Sequence, residues 1–202
     1  MSRAAEGLLS AWVPAGPAPS FAALGLDPAR RGELTDAYLR IIIDAWTHET
    51  VSADGVGIRF QDVATGPQPT GGRVPLWVGG NGLAAIRRAA CFGDAWHPIN
   101  SQLSWLRDIG IPALVHAAAV AQRPVPDVVV RIKARVERPP PSGPRPLGVG
   151  SLQQIVEDVG AIFATGAAEI VLDPNPDVST LRNAITEQRH LVEIKEAYQR
   201  VR

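Results

Sequence analysis

Short apolar runs alternate with longer amphipathic stretches along most of the chain. The apolar runs predict buried β-strands at Val74–Gly79, Asp94–His97, Val128–Val136 and Glu169–Asp173. The stretches that follow them repeat apolar residues at helical spacing and predict helices at Gly82–Phe92, Gln102–Gln122, Ser151–Ala164 and Ser179–Val201. A strand followed by a helix, repeated along a chain, is typical of a parallel sheet with right-handed crossovers. The pattern therefore predicts an α/β fold.

Before these units, the pattern predicts a helix and then a hairpin. Pro28–Thr47 places apolar residues at i, i+3 and i+4, which predicts an amphipathic helix. The predicted buried face comprises Leu34, Ala37, Tyr38, Ile41, Ile42, Ala45 and Trp46. Apolar positions alternate through Val51–Gly66, and Asp54-Gly55 predicts a tight turn between two strands.

The domain organisation follows from where this pattern starts. Residues 1–20 form an irregular N-terminal segment, within which Gly7–Val13 predicts a strand remnant. Residues 21–202 form one domain with four parallel strands, or five if the remnant joins the sheet. A Pro-rich connection, Glu137–Gly150, separates two of the predicted units.

Composition narrows the class of protein. The chain has 202 residues, a formal net charge of +0 and 46% hydrophobic residues, which fits one globular domain. A neutral balance argues against nucleic acid or an anionic membrane as a partner, since both attract a basic face. No apolar run approaches the roughly 20 residues that span a bilayer. Cytoplasmic localisation is therefore expected.

The single cysteine and the histidines give no metal site. Cys91 alone excludes an internal disulfide and a thiolate zinc cage, and its alanine-rich helix predicts a small core residue. His48, His116 and His190 lack carboxylates at ligand spacing and are interpreted as surface or core residues. Asp94, before its strand, predicts a turn cap.

The β-to-α loops carry the candidate chemistry, because in a parallel fold they lie at one face. Four loops converge there, at residues 79–82, 97–102, 137–151 and 173–179. Glycines precede two helices, as Gly80-Asn81-Gly82 and as Gly148 to Gly150 before Ser151. Unblocked N–H groups at two helix starts predict a phosphate cradle, although the glycines can equally serve tight turns.

Two side-chain features near this face have competing interpretations. His97 ends a predicted strand, where it can donate to a phosphate or carbonyl, act as an acid, or be a satisfied structural histidine. Arg87-Arg88, on the helix predicted at Gly82–Phe92, predict a solvated face. No residue is singled out as catalytic.

The segment VPLWVGGNGLAAIRRAACFGDAWHPIN (Val74–Asn100) resembles the luciferase-like monooxygenase family, and LGLDPARRG (Leu24–Gly32) resembles the family's mid-barrel helix entry. Ala95 departs from the glycine that the family pattern has. The resemblance implies the last five βα units of a TIM-type (β/α)8 barrel, which typically takes about 250 residues. It also implies that Gly79 and Gly80 lie against a flavin or deazaflavin, with Asn81 and Gly82 beside them.

The resemblance further implies an oxidoreductase that uses deazaflavin (coenzyme F-420) or FMN on a small-molecule substrate. His97, Gly150 and Ser151 complete the predicted cofactor-binding set. Because the resemblance covers only about five of the eight βα units of a barrel, it implies one of three explanations. The chain is a truncated form, its start is misplaced, or it is a half-barrel that is completed as a homo-oligomer or by a partner subunit. The alternatives are a non-catalytic half-barrel that binds a cofactor or partner, and a different TIM-type enzyme that grips a sugar phosphate.

Overall fold

The computed structural model describes residues 9–11, 23–55, 57–140, 142–174 and 184–201. The strands are β1 (Leu9–Ala11), β2 (Thr50–Gly55), β3 (Ile58–Ala64), β4 (Leu76–Gly79), β5 (Ala95–His97), β6 (Asp127–Lys133), β7 (Arg135–Val136), β8 (Val149–Gly150) and β9 (Glu169–Asp173). The helices are α1 (Arg31–Thr47), α2 (Leu83–Phe92), α3 (Leu103–Trp105), α4 (Ile111–Val120), α5 (Leu152–Phe163) and α6 (Ala184–Val201). A 3-10 turn, Pro28–Arg30, leads into α1, and a π-helical segment, Leu106–Gly110, joins α3 to α4.

Five parallel strands form the main sheet, in the order β1-β4-β5-β6-β9. Gly79 pairs with His97 across β4 and β5, which brings the carboxyl ends of these strands together. The strand predicted at Gly7–Val13 is confirmed as β1, paired with β4. The chain is therefore α/β, and the sheet is an incomplete TIM-type barrel whose β-to-α loops share one face.

Alternation along the strands separates an outer face from an inner face. The side chains of the outer face pack against the helices as the main core: Leu76, Val78, Trp96, Val128, Val130, Ile132, Ile170 and Leu172. Because successive side chains point to opposite faces, the intervening residues lie on the inner face. These are Trp77, Gly79, Ala95, His97, Asp127, Val129, Arg131, Lys133, Glu169, Val171 and Asp173.

The π-helical segment packs on the outer face of the sheet, where it contacts Trp96. The rings of Trp96 and Trp105 lie 5.9 Å apart, and a Cβ added at Gly110 would lie 2.7 Å from Cη2 of Trp96. No side chain fits at Gly110 unless an indole moves. Glycine is therefore required where this helix crosses Trp96.

Several local expectations need correction. On the predicted face of α1, Leu34 is buried and Tyr38 is 44% exposed, and the other predicted members are half-buried: Ala37, Ile41, Ile42, Ala45 and Trp46. Thr35 and Leu39 are buried although they were not predicted. Apolar residues cover most of the helix circumference, so the periodicity fixed the buried face only in part. The hairpin turns between Gly55 and Ile58, and not at Asp54-Gly55, which stays within β2.

Two interpretations of α2 are also corrected. Cys91 is exposed, so it is not a core residue. Arg87 is exposed as expected, but Arg88 is only 18% exposed and pairs with Asp36 of α1. Arg88 also donates to the Gly32 carbonyl at 3.0 Å, so it fastens α2 to the start of α1.

The remaining helices and strands follow the prediction closely, with one division and one omission. The single strand predicted at Val128–Val136 divides at Ala134 into β6 and β7, which belong to different sheets. The final helix is described from Ala184, and the residues predicted to begin it lie outside the described part. The short strand β8 was missed inside the Pro-rich connection, where Val149 and Gly150 pair with Arg135 and Val136. Two residues among prolines give no strand pattern, because only their pairing defines the strand.

Candidate functional site at the carboxyl ends of the strands

The glycine turn after β4 is tied to the end of β5 through its backbone. Gly80 has φ +119°, a conformation that L side chains rarely adopt. Its N–H donates to the His97 carbonyl at 3.3 Å, and its carbonyl accepts from the Trp96 indole at 2.8 Å. Both backbone groups of Gly80 are therefore used within the protein.

Asn81 fastens the same turn to the loop after β5. Its Nδ2 donates to the Ile99 carbonyl at 2.7 Å, and its Oδ1 accepts from the Ile99 N–H at 2.8 Å. The carboxamide thus pairs with both backbone groups of Ile99, as the backbone of a neighbouring strand would. In the structure Asn81 positions two loops against each other, and its predicted contact with a cofactor stays a prediction.

The start of α2 offers open backbone donors. Gly82 is the N-cap and supplies no side-chain acceptor, so the first N–H groups of the helix lack a cap. A Cβ added at Gly82 would meet nothing within 4 Å, so the space in front of the helix is open. Uncapped donors and the helix dipole together favour an anion at this position.

The second predicted phosphate cradle, at the start of α5, differs from the first because residues of the helix start cap its N–H groups. Ser151 Oγ accepts from the Gln154 N–H at 3.2 Å, and Gln154 Oε1 accepts from the Ser151 N–H at 2.8 Å. This capping box occupies two of the donors that a phosphate would need. The expectation of unblocked N–H groups is therefore wrong at Ser151, while contact of Gly150 or Ser151 with a cofactor is untested.

A buried ion pair also locks the approach to α5. Arg145 Nη2 donates to Asp158 Oδ1 at 2.9 Å, and Arg145 Nη1 donates to the Val149 carbonyl at 3.1 Å. Asp158 Oδ2 accepts from the Gly148 N–H at 2.8 Å. The neighbouring carboxylate raises the pKa of the Arg145 guanidinium further, so the guanidinium stays charged.

His97 lies on the inner face and is only 7% exposed. Its Nδ1 is 2.8 Å from the Val129 carbonyl, which can only accept, so Nδ1 carries the proton in the neutral ring. Burial lowers the pKa of His97; the Val129 hydrogen bond opposes that shift, Arg131 adds to it and Glu169 opposes it. The neutral ring leaves Nε2 as an acceptor, so proton uptake fits His97 better than donation to a phosphate.

Charged residues on the inner face were missed by the sequence analysis. Arg131 Nη2 donates to Asp173 Oδ2 at 2.7 Å, and Lys133 Nζ lies 3.5 Å from the same oxygen. Asp173 is 5% exposed. The sequence signal was charge at every second position from Arg131 to Arg135, and charge with this period marks one face of a strand.

The loop after β5 runs beside these charges. The Asn100 N–H donates to the Arg131 carbonyl at 2.8 Å, and Asn100 Oδ1 accepts from the Lys133 N–H at 3.1 Å. Ser101 is 7% exposed, and its Oγ has no hydrogen-bond partner in the described part of the chain. A buried hydroxyl without a partner marks a place where a ligand or water is expected.

Other candidate residues have structural roles. Asp94 accepts from the Leu76 N–H at 2.8 Å and pairs with Arg73, which confirms it as a cap at the amino end of the sheet. His48 and His116 are exposed, whereas Nδ1 of His190 is buried without a hydrogen-bond partner among the described residues.

The described residues include no group of three histidine, cysteine or acidic side chains that could hold a metal ion. Among the described helices, none is both long enough and apolar enough to cross a membrane.

Comparison with solved structures supports the fold. An F420-dependent secondary alcohol dehydrogenase in complex with an F420-acetone adduct is 15% identical with a TM-score of 0.67, covering 85% of this chain and 65% of its own. Monooxygenase RslO1 from Streptomyces bottropensis is 12% identical, with a TM-score of 0.68. The match covers 92% of this chain and 65% of the RslO1 chain. The coenzyme F420 dependent tetrahydromethanopterin reductase from Methanopyrus kandleri is 12% identical, with a TM-score of 0.63. The match covers 90% of this chain and 71% of the reductase chain.

Sequence comparison identifies the family. A search of curated protein sequences gave no match. The chain spans 65% of the length of the first two solved structures. The model of the luciferase-like monooxygenase family matches residues 12–138, more than half of the chain, including the glycine turn, His97 and Arg131. The chain belongs to the luciferase-like monooxygenase family.

Proposed function

We propose that this chain serves two-electron oxidoreduction of a small molecule with a flavin-type cofactor held at the glycine turn. The observation that carries the proposal is the uncapped start of α2 behind Gly80-Asn81-Gly82, at the carboxyl ends of parallel strands. That end of a barrel is where its enzymes bind ligands and where helix starts hold phosphate. The open space at Gly82 fits the phosphate of FMN or of a deazaflavin.

Deazaflavin is the favoured cofactor. Two of the three solved structures with the same fold are named as F420-dependent, and the third is named a monooxygenase. A bound cofactor of this kind supplies the redox chemistry, and the protein supplies position and electrostatics. FMN remains the second choice because the phosphate contact is common to both.

The chain's own residues have distinct roles in this proposal. The N–H groups at the start of α2 bind the phosphate, and Asn81 holds their loop against the end of β5. Trp77 lies on the inner face with its ring 5.7 Å from His97 and restricts water there. His97 accepts a proton at Nε2, because Nδ1 is already committed to Val129.

A second candidate function is a half-barrel that binds cofactor or a partner subunit without turnover. The observation in its favour is the closed start of α5, where the capping box and Arg145 occupy donors that the cradle was expected to offer. The chain also spans only 65% of two solved neighbours. Deazaflavin binding without reduction or oxidation across a panel of secondary alcohols and ketones would favour this candidate.

The test is fluorescence titration of deazaflavin and of FMN into the purified chain. Weak binding is expected for the lone chain, because association costs on the order of 4–15 kcal/mol before contacts compensate. Gly80→Val should abolish the binding, since it forces a branched side chain into φ +119° beside the ligand.

Gly71→Val is the matched control. A Cβ at Gly71 meets nothing within 4 Å, and the residue lies in a loop before β4. Equal affinity in Gly80→Val and Gly71→Val, with unchanged circular dichroism, would assign the glycine turn a structural role alone.

A further inference from the structure

The inner face of the sheet carries a guanidinium beside the imidazole. Arg131 lies between Val130 and Ile132, which face the helices, so its side chain is on the opposite, inner side. This side chain is 35% exposed, so the guanidinium keeps contact with open space on that side.

Asp173 fixes the orientation of this guanidinium. Nη2 donates to Asp173 Oδ2 at 2.7 Å, and this is the one hydrogen bond of the Arg131 side chain within the described residues. Asp173 uses one N–H of Nη2, which leaves the second Nη2 N–H, together with Nε or Nη1, as a planar pair of donors for another acceptor. A planar pair of donors matches the two oxygens of a carboxylate.

Two further polar groups without a hydrogen-bond partner among the described residues lie on the neighbouring strand and loop. Ile99 forms a parallel bridge with Arg131, which places the loop after β5 alongside the guanidinium-bearing residue. That loop contains the buried, unpartnered hydroxyl of Ser101, and it follows His97, whose Nε2 is unused in the neutral ring. The pKa of His97 responds to Arg131, so the two groups are electrostatically coupled.

We propose that this inner-face cluster binds the carboxylate group of a small substrate, with Arg131 as the principal donor. From the Val129–Glu169 level to the carboxyl ends of the described strands, the inner face carries two cations, Arg131 and Lys133, and two carboxylates, Glu169 and Asp173, while Asp127 lies at the amino end. A monoanion is favoured over a phosphate dianion, because no surplus of positive charge opposes the repulsion from the two carboxylates. This inference rests on the proposed function in one respect only, which is that the bound carboxylate group belongs to the substrate.

The test follows the imidazole of His97 by NMR. The chain has four histidines, and His97→Asn identifies the His97 resonance by its loss. The pKa of His97 is measured with acetate, with benzoate, and with inorganic phosphate, at constant ionic strength and without cofactor. A bound carboxylate raises this pKa, because a negative charge stabilises the imidazolium.

Arg131→Gln should remove the carboxylate-induced shift. Arg59→Gln is the control, because Arg59 is 82% exposed on the hairpin and should leave the shift unchanged. Arg131→Lys keeps a charge beside Asp173 but loses the planar pair of donors, so the carboxylate affinity should fall about tenfold. This variant keeps the test valid if Arg131→Gln does not fold.

Three results would overturn the inference. These are no carboxylate-induced shift in the wild type, an unchanged shift in both Arg131 variants, or a larger shift with phosphate than with carboxylates. Because no cofactor is present, loss of deazaflavin binding in Gly80→Val leaves this test intact. Conversely, a missing carboxylate shift leaves cofactor binding at the glycine turn standing.

Discussion

Among the described residues only the Nδ1 nitrogen of His97 has a hydrogen-bond partner, and the burial of this ring makes the residue a pH-dependent element of stability. Burial favours the neutral ring, while the Val129 carbonyl fixes the proton on Nδ1. The folded pKa is therefore below the ordinary value of 6.5. Below pH 6.5 the unfolded chain takes up a proton before the folded chain does.

The free energy of unfolding should decrease as the pH falls from 6.5 to the folded pKa of His97, and this contribution should stay constant below it. His97→Asn should show a smaller decrease, because its amide can still donate to Val129 but cannot titrate. Urea unfolding at pH 7.5 and pH 5.5 measures the effect. Identical losses in the two proteins would mean that another group dominates.

Gly148 is the glycine with the tightest surroundings among those described. It has φ +77°, and an added Cβ would lie 1.7 Å from the Lys133 carbonyl oxygen. Gly148→Ala should lower the free energy of unfolding by about 2–5 kcal/mol, through strain and displacement of the adjoining strand. Thermal or urea unfolding gives the value.

Gly160→Ala is the matched control in the same half of the chain. Gly160 lies within α5, and an added Cβ would meet nothing within 4 Å. Alanine should stabilise the helix by about 0.5–1 kcal/mol. A mild effect at both glycines would show that the backbone around Gly148 relaxes easily.

Among the helices, α5 depends on side-chain interactions at its start more than α2 does. Its capping box and the Arg145–Asp158 pair connect the helix to β8 and to the loop before it. Arg145→Gln should lower the free energy of unfolding by about 3–5 kcal/mol, because it leaves the mostly buried carboxylate of Asp158 without a cation. Urea unfolding at neutral pH measures the loss.

Arg30→Gln provides the comparison for that prediction. Arg30 pairs with Glu33 at the surface, where both side chains are more than half exposed, so no measurable loss is expected. A loss in Arg145→Gln no larger than in Arg30→Gln would show that water or another group compensates Asp158.

Local signals account for the elements that the sequence predicted well. Ser151 and Gln154 form a recognisable capping pair, and glycines mark the turn before α2, so these helix starts are visible in a few residues. The buried face of α1 was visible only in part, because apolar residues cover most of the helix circumference and the neighbouring elements decide which of them are buried.

The candidate site was predictable only in part for the same reason. The glycine turn is a contiguous motif, so its place after β4 followed from the sequence. The pair Arg131–Asp173 joins two strands 42 residues apart, and it follows only from their register. Ser151 is recognisable as the N-cap of this helix from the sequence, and the structure confirms it. The open donors expected from the preceding glycines are absent at Ser151, because Gln154 completes a capping box.

At the scale of the whole molecule, the edges of the sheet determine how the chain behaves in solution. Within the described strands, β1 pairs only with β4 and β9 pairs only with β6. Unpaired backbone groups at a sheet edge attract another strand. Self-association, or association with a partner subunit, is therefore expected.

Light scattering across a concentration series tests this expectation. The average mass should rise above 21.5 kDa with concentration, with aggregation at the upper end. A monodisperse species of 21.5 kDa that melts cooperatively would show that the chain covers its own edges.

The packing around Gly110 links the outer layer of the molecule to the glycine turn. A side chain at Gly110 displaces Trp96, and Trp96 holds the carbonyl of Gly80 through its indole N–H. A mutational scan scored by ligand binding should therefore group Gly110 with Gly80, although one residue lies in a helix and the other in a loop. Libraries that vary only the loops would miss this position, and attempts to retarget the protein should include it.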